Sequence, residues 1–179
     1  MLNDLSEILL SQEQLAKRVE ELGAEISEDY KGKNLLLVGI LKGSVVFMSD
    51  LMKQITIPAR IDFMSVSSYG AGVKTSGVVK IIKDLDIPIQ GYDVLIVEDI
   101  LDSGLTLHYI MNLLKSRNPD SVKICTLLDK PYRRKVDVNT DYHGFDIDDK
   151  FVVGYGLDYA EKYRNLPFVG VLKPEVYEK

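Results

Sequence analysis

The chain has 179 residues, with a hydrophobic share of 46% and a charged share of 27%, which are ordinary values for a globular domain with a sizeable core. Its formal net charge of −5 argues against a nucleic-acid partner, because such proteins neutralise phosphates with clustered Lys and Arg. No charge-free stretch is long enough to span a bilayer, and the N-terminus lacks the basic start and apolar core of a signal peptide. We therefore expect a cytoplasmic protein with no membrane partner.

The cysteine and histidine content excludes several kinds of site. Cys125 is the only cysteine, so an intrachain disulfide is impossible, and its apolar surroundings predict a small buried side chain. Neither Cys125 nor the two histidines, His108 and His143, has the spacing of a zinc site or of a nucleophile–base pair.

The first half of the chain combines an amphipathic helix with apolar runs. Ser11 to Gln14 has the spacing of a capping box, and apolar residues then follow on one helical face until Lys31-Gly32. Residues 35–41 form a continuous apolar run, as in a parallel strand buried on both faces. Three further elements are predicted here: a helix over 45–55 and strands over 60–67 and 78–82, which form a hairpin with an unusually long loop.

The second half continues this alternation and then changes character. The predicted elements are a strand over 92–97, a helix after residue 104, a strand over 122–128, and short strands over 151–153 and 168–172. Alternating strands and helices predict an α/β fold with a mainly parallel sheet flanked by helices. We expect a single domain over 1–179, with a core at about 33–135 and a small hood lobe from about 1–20, including the N-terminal helix, and 136–179.

The segment from Glu98 to Thr106 follows a predicted strand and opens a predicted helix, which is where open parallel sheets bind ligands. Gly104 allows a ligand to approach the backbone, Ser103 and Thr106 offer hydroxyls, and the amides of the first helical turn offer donors to a phosphate. The chain has no Walker sequence, and GxGxxG follows none of the predicted strands. A phosphate site of another kind is therefore predicted.

Two carboxylates, Glu98 and Asp99, stand directly upstream of this turn. Burying an unpaired carboxylate is costly, and a carboxylate beside a phosphate repels it. Both difficulties disappear if the pair faces ribose hydroxyls and a magnesium ion, which uses few carboxylates and keeps waters and phosphate oxygens as ligands. In the alternative, structural interpretation the pair caps the next helix or pairs with lysine.

The segment VLIVEDILDSGLTL, residues 94–107, resembles the phosphoribosyl-pyrophosphate motif of type I phosphoribosyltransferases. Four other segments resemble that family in the same order: LKGS at 41–44, SSYG at 67–70, LLDKP at 127–131 and DKFVVGYGLDYAEKYRNL at 149–166. The last segment is most similar to the hypoxanthine and hypoxanthine-guanine enzymes. The resemblance covers nearly the whole chain from about residue 35 onward.

The resemblance implies roles for the acidic segment. Glu98 and Asp99 would hold the ribose hydroxyls and magnesium, and Asp102 would be the general base or a proton relay for the purine N7 proton. The 5-phosphate would bind the turn formed by Asp102, Ser103, Gly104, Leu105 and Thr106. Without the resemblance, Asp102 reads as an ordinary helix N-cap.

It also implies contacts for pyrophosphate and for the 6-oxo group of the purine. Lys42, Gly43 and Arg164 would contact pyrophosphate, with a cis peptide before Lys42. Lys130 would donate to the purine 6-oxo group, which excludes adenine because its exocyclic amine cannot accept that bond. The alternative for Lys42-Gly43 is an ordinary βα turn with glycine. The alternative for Arg164 and Lys130 is a solvated charge, with Lys130 beside Arg133 and Arg134.

The remaining implied roles concern the purine ring and a lid. Phe151 would stack on the purine, the Val152 backbone would contact the base edge, and Asp158 would lie near the base and bind a second magnesium. The loop 67–77, including Ser68 and Tyr69, would close over the site and exclude water. The alternatives are core packing for Phe151 and a floppy hairpin tip for the loop.

Taken together, the resemblance implies transfer of a 5-phosphoribosyl group from phosphoribosyl pyrophosphate to hypoxanthine, and also to guanine, in purine salvage. It implies magnesium as cofactor and a homo-oligomer, either a dimer or a tetramer. Two other interpretations stay open at this point. One is a ribose-phosphate-sensing regulator that keeps this fold and binds RNA, which the net charge and the intact Lys130, Phe151 and Asp158 disfavour. The other is a phosphoribosyltransferase for xanthine or a pyrimidine.

Overall fold

The computed structural model describes residues 1–68 and 79–178. Its α-helices and strands, in chain order, are β1 (Leu5–Leu10), α1 (Gln12–Asp29), β2 (Leu35–Leu41), α2 (Val45–Gln54), β3 (Ala59–Ser68), β4 (Val79–Lys83), β5 (Asp93–Leu101), α3 (Leu105–Lys115), β6 (Ser121–Asp129), β7 (Tyr142–Asp146), β8 (Val152–Val153), β9 (Val169–Leu172) and α4 (Pro174–Tyr177). In this part of the chain, no helix is long and apolar enough to cross a membrane.

A six-stranded sheet with the order β4-β3-β2-β5-β6-β7 forms the centre of the fold. All neighbouring pairs are parallel except β3 and β4, which form the predicted hairpin. Successive side chains of a strand point to opposite faces. Leu35 and Leu37 of β2 accordingly join the core with α1 and α2, whereas Leu36 and Val38 join the core with α3. The predicted α/β fold, with helices on both faces of a mainly parallel sheet, is therefore confirmed.

Helix α1 begins with the predicted capping box. The Ser11 hydroxyl accepts from the Gln14 N–H at 3.2 Å, and the Gln14 side chain accepts from the Ser11 N–H at 2.8 Å. Its apolar face, which includes Leu15, Val19 and Leu22, is buried in the main core. Cys125 is buried in the same core, as predicted.

Strand β5 continues four residues beyond its predicted end at Val97, and this changes the setting of the acidic pair. Glu98 and Asp99 lie within β5 and not in a loop after it. The reason is β6, which stays paired with β5 as far as Leu101 and Asp129, whereas the pairing with β2 ends at Gly39 and Val97. The last residues of β5 therefore have a partner on one side only, and their other side is open.

A second, three-stranded sheet has the order β1-β9-β8. Its N-terminal strand, β1, was not predicted, and α1 packs on α2 and β7 of the large body. Strand β7, within the range assigned to the hood, is the edge strand of the six-stranded sheet. The lobe boundaries stay a prediction.

Candidate active site

Three turns meet at the carboxyl ends of β2, β5 and β6. They carry Lys42-Gly43, Asp102 to Thr106, and Lys130. This is the edge at which open parallel sheets bind ligands, because helix N-termini and strand ends converge there. The peptide between Leu41 and Lys42 is cis, as the resemblance implied.

The turn after β5 has the backbone of an anion site. Gly104 is the N-cap of α3 and has a φ of +82°, a conformation that favours glycine. A Cβ at this position would also overlap the Val138 side chain. The N-terminal amides of α3 have no acceptor within the helix. The interpretation of Asp102 as N-cap is wrong, since Gly104 occupies that position.

The acidic pair lies near the end of β5, where Asp99 is buried and Glu98 is half-buried. Burial, followed by the neighbouring Asp99 carboxylate, raises the pKa of Glu98, and burial raises the pKa of Asp99. The side chain of Asp99 lies against Gly43 so closely that a Cβ at Gly43 would overlap the Asp99 carboxylate. The alternative in which the pair binds lysine is wrong, because no described ion pair involves Glu98 or Asp99.

The segment after β8 closes this side of the site. Arg164 donates to the Gly156 carbonyl at 2.7 Å and forms ion pairs with Asp158 at 2.9 Å and Glu161 at 3.3 Å. Lys42 pairs with Glu161 at 3.0 Å. Glu161, which was not predicted from the sequence, therefore links the side chains of Lys42 and Arg164, and Arg164 in turn holds Asp158.

A cavity of about 380 Å³ lies between the ends of β5 and β6 and the start of β8. Its lining includes Ile100, Asp102, Lys130, Phe151, Val152 and Asp158. An adjoining cavity of about 200 Å³ is lined by residues 98–104, Thr106 and Leu107. Asp102 borders both cavities, so a ligand that filled both would pass this side chain.

Lys130 is buried, with 7% of its surface exposed. Its ammonium donates to the Lys150 carbonyl at 2.7 Å and lies 3.6 Å from Asp149. The alternative of a solvated lysine is therefore wrong. A buried ammonium needs hydrogen-bond acceptors, so Lys130, which lines the cavity, is suited to bind a ligand oxygen there.

Phe151 is the apolar wall of the larger cavity. It is 37% exposed, which excludes simple core packing, whereas Val152 points into the main core. Tyr177 of α4 stacks on Phe151 with ring centroids 4.6 Å apart, and Tyr159 meets it edge-on at 5.6 Å. These two tyrosines, which the sequence analysis missed, hold the ring in place.

Two arginines that could not be interpreted from sequence have distinct contacts. Arg133 donates to Asp102 at 2.6 Å and to both carboxylate oxygens of Asp149 at 3.0 Å. Arg134 pairs with Asp129 and donates to the carbonyl oxygens of Leu101, Asp102, Lys130 and Val138. Arg134 therefore ties the turns after β5 and β6 together.

The predicted lid is only partly within the described residues. Ser68 is the last residue of β3. Tyr69 and the rest of the loop to residue 77 lie outside the described residues. Their role stays a prediction.

Known proteins are similar to this chain over most of its length. The model of the phosphoribosyl transferase domain family matches residues 6–160. The hypoxanthine-guanine phosphoribosyltransferase of Bacillus subtilis is 55% identical over 178 residues, which cover 99% of each chain. The bifunctional protein TilS/HprT of Listeria monocytogenes is 53% identical over this whole chain, which spans 28% of its length.

A solved structure gives the same result for the fold. The crystal structure of a hypoxanthine phosphoribosyltransferase from Staphylococcus aureus superposes with a TM-score of 0.97 at 57% identity, covering 100% of this chain and 97% of that one. Identity at this level over full lengths shows kinship as well as fold. The chain belongs to the phosphoribosyl transferase domain family and, within it, to the hypoxanthine-guanine phosphoribosyltransferases.

Proposed function

We propose that this protein transfers the 5-phosphoribosyl group of phosphoribosyl pyrophosphate to hypoxanthine and guanine, and releases pyrophosphate. The observation that carries this proposal is the position of Asp102, which borders both the cavity lined by Lys130 and Phe151 and the cavity lined by the acidic pair. A purine in the first and a ribose phosphate in the second would meet beside that carboxylate. The product would be a purine nucleotide, made by salvage in the cytoplasm.

The sugar phosphate has complementary partners in the smaller cavity. Ribose hydroxyls are hydrogen-bond donors and suit the carboxylates of Glu98 and Asp99, because hydrogen bonds from these donors offset the cost of removing a carboxylate from water. The 5-phosphate suits the amides of residues 103–106, because a helix N-terminus favours negative charge. Lys42 and Arg164 would hold the pyrophosphate, and the amide of Gly43 can approach it because glycine has no Cβ.

The acidic pair also fits magnesium. In the parts of the chain described, 1–68 and 79–178, no group of three or more His, Cys, Asp or Glu side chains could hold a metal by itself. Magnesium commonly takes one or two carboxylates and completes its shell with waters and substrate phosphates, so Glu98 and Asp99 suffice. When bound, magnesium supplies positive charge to the departing pyrophosphate oxygens. Asp158, whose carboxylate is engaged by Arg164, is proposed as a ligand of a second ion.

Recognition of the base uses the larger cavity. Lys130 would exchange the Lys150 carbonyl for the purine 6-oxo group, Phe151 would stack on the ring, and the Val152 backbone would meet the base edge. Asp102 would accept the N7 proton as N9 attacks the ribose, which makes the base a better nucleophile. Ser68 and Tyr69 are proposed as part of a lid that keeps water from the reacting sugar.

Turnover with individual bases tests the proposed function. The protein is mixed with magnesium, phosphoribosyl pyrophosphate and one base at a time, and nucleotide absorbance is followed. We expect turnover with hypoxanthine and guanine and none with adenine. Turnover only with xanthine or a pyrimidine would reassign the substrate, and RNA binding without any turnover would favour the regulator.

A methyl group at Gly43 should impair the sugar-phosphate side of the site. Gly43→Ala places its Cβ against the Asp99 carboxylate, so Asp99 must move and the KM for phosphoribosyl pyrophosphate should rise about tenfold or more. Gly91→Ala is the matched control, because it has open space around it and a φ of +78°. It should cost only stability, measured by thermal unfolding. An unchanged KM in Gly43→Ala would separate Asp99 from the sugar phosphate.

Removal of magnesium should abolish activity without unfolding the protein. With a chelator in excess, turnover of hypoxanthine should fall to background and return when magnesium exceeds the chelator, while the unfolding temperature of the free protein stays unchanged. The physical reason is that Glu98 and Asp99 would face pyrophosphate without a cation between them. Full turnover in chelator would contradict a magnesium requirement.

The proposed assembly is a homo-oligomer, either a dimer or a tetramer. The support is the family resemblance, together with the similar hypoxanthine phosphoribosyl transferase of Trypanosoma cruzi, in which the C-terminal region has a role in the oligomeric state. Light scattering on the protein as it elutes from a size-exclusion column measures its molar mass and so distinguishes monomer, dimer and tetramer.

A further inference from the structure

Arg133 connects the two groups that are proposed to read the purine. Its Nε donates to Asp102 Oδ1 at 2.6 Å, and its Nη1 lies 3.0 Å from each Asp149 oxygen. Asp149 Oδ1 in turn lies 3.6 Å from the Lys130 ammonium. The chain Asp102–Arg133–Asp149–Lys130 thus runs along one side of the base cavity, all four residues being part of its lining.

The positions of Asp102 and Lys130 correspond to neighbouring atoms of a 6-oxopurine. N7 and the 6-oxo oxygen lie on the same edge of the ring, so a bound base would present an N–H to Asp102 and a carbonyl to Lys130. In the structure, Asp102 already accepts a hydrogen bond from the Nε–H group of Arg133. Arg133 and the purine would therefore draw on the same carboxylate, of which Arg133 already holds Oδ1.

We propose that Arg133 is a positioning residue that occupies Asp102 until the base displaces it, and that Asp149 retains the displaced guanidinium. This inference rests on the function proposed above. Arg133 makes one hydrogen bond to Asp102 and contacts both oxygens of Asp149, so release from Asp102 leaves its contact with Asp149 in place. The hydrogen bond from Arg133 lowers the pKa of the Asp149 carboxyl, which keeps that partner charged.

Displacing Arg133 from Asp102 costs little free energy, because the ion pairs of Arg133 with Asp102 and Asp149 face solvent. The side chains of Arg133, Asp102 and Asp149 are 46%, 41% and 62% exposed, and exposed ion pairs contribute little to stability. The guanidinium therefore yields Asp102 to a better-placed donor when the base arrives.

Two substitutions should change base affinity in opposite directions. Arg133→Met removes the competitor, so the KM for hypoxanthine at saturating phosphoribosyl pyrophosphate should fall by about two- to fivefold. Asp149→Asn removes the partner that retains Arg133, so Arg133 stays on Asp102 and the KM should rise by a similar factor. A merely structural bridge would shift both variants in the same direction.

The double variant and a charge control complete the test. Arg133→Met/Asp149→Asn should have a lower KM than Asp149→Asn alone, because without Arg133 no guanidinium can stay on Asp102, whereas any effect of Asp149 on Lys130 is the same in both variants. Lys135→Met removes the same charge two residues along the chain and should leave the KM for hypoxanthine unchanged. If the wild type turns over hypoxanthine but the KM shifts in the same direction in Arg133→Met and Asp149→Asn, or in neither, the role proposed for Arg133 is overturned and the proposed function stands. A wild type without turnover would overturn the proposed function.

Discussion

Asp102→Asn should fold like the wild type and lose about 10²- to 10⁴-fold in kcat for hypoxanthine, the usual worth of a positioned general base. An amide has the size of the carboxylate and can still accept the Arg133 hydrogen bond through its oxygen, but it cannot take up the N7 proton. Stopped-flow or steady-state turnover at saturating substrates measures the loss.

Asp137→Asn is the matched control for this substitution. Asp137 is exposed on the loop that follows β6, and its amide should leave kcat unchanged. Thermal unfolding of both variants separates a chemical defect from a folding defect. Turnover of Asp102→Asn near the wild-type rate would remove Asp102 from the mechanism.

Lys130→Met should lose about 10- to 100-fold in kcat/KM for hypoxanthine, because a charged hydrogen bond to the 6-oxo group is lost. Methionine keeps the length of the side chain in its buried site and removes only the ammonium. The loss should appear mainly in the KM of the base, with the KM of phosphoribosyl pyrophosphate little changed.

Adenine provides the second readout for Lys130. The wild type should reject adenine, since its exocyclic amine cannot accept a hydrogen bond from the Lys130 ammonium and would place N–H groups against it. Lys130→Met has no such ammonium, so the ratio of kcat/KM for hypoxanthine over adenine should narrow. An unchanged ratio would mean that another group reads position 6 of the ring.

The central strands could be predicted because burial on both faces requires continuous apolar runs. Residues 35–41 show such a run, and β2 has those bounds. Strands β1 and β7 carry no comparable signal: β1 is largely exposed, and β7 is the edge strand Tyr142–Asp146, with His143, Gly144 and Asp146 in it. Edge strands make fewer apolar contacts, so packing constrains their sequences less.

The acidic pair shows that the position at which a strand ends depends on its partner strands. Two adjacent carboxylates after an apolar run indicate a loop, yet β6 continues to pair with β5 and keeps Glu98 and Asp99 in strand conformation. That pairing joins segments about thirty residues apart, such as Leu101 with Asp129. Local sequence does not contain this information.

The contacts of Arg133 in the site could not be predicted from local sequence either. Its partners Asp102 and Asp149 lie 31 and 16 residues away along the chain, so the Arg133-Arg134 pair reads only as local positive charge. By contrast, Lys130 could be placed from the sequence, because it follows directly on a strand end where side chains reach over the sheet.

A crystal structure with a bound purine nucleotide and magnesium tests the central claim most directly. We predict the 5-phosphate on the backbone amides of residues 103–106, the ribose hydroxyls on Glu98 and Asp99, and the purine between Lys130 and Phe151. A nucleotide bound elsewhere, with the turn after β5 free of ligand, would contradict the account.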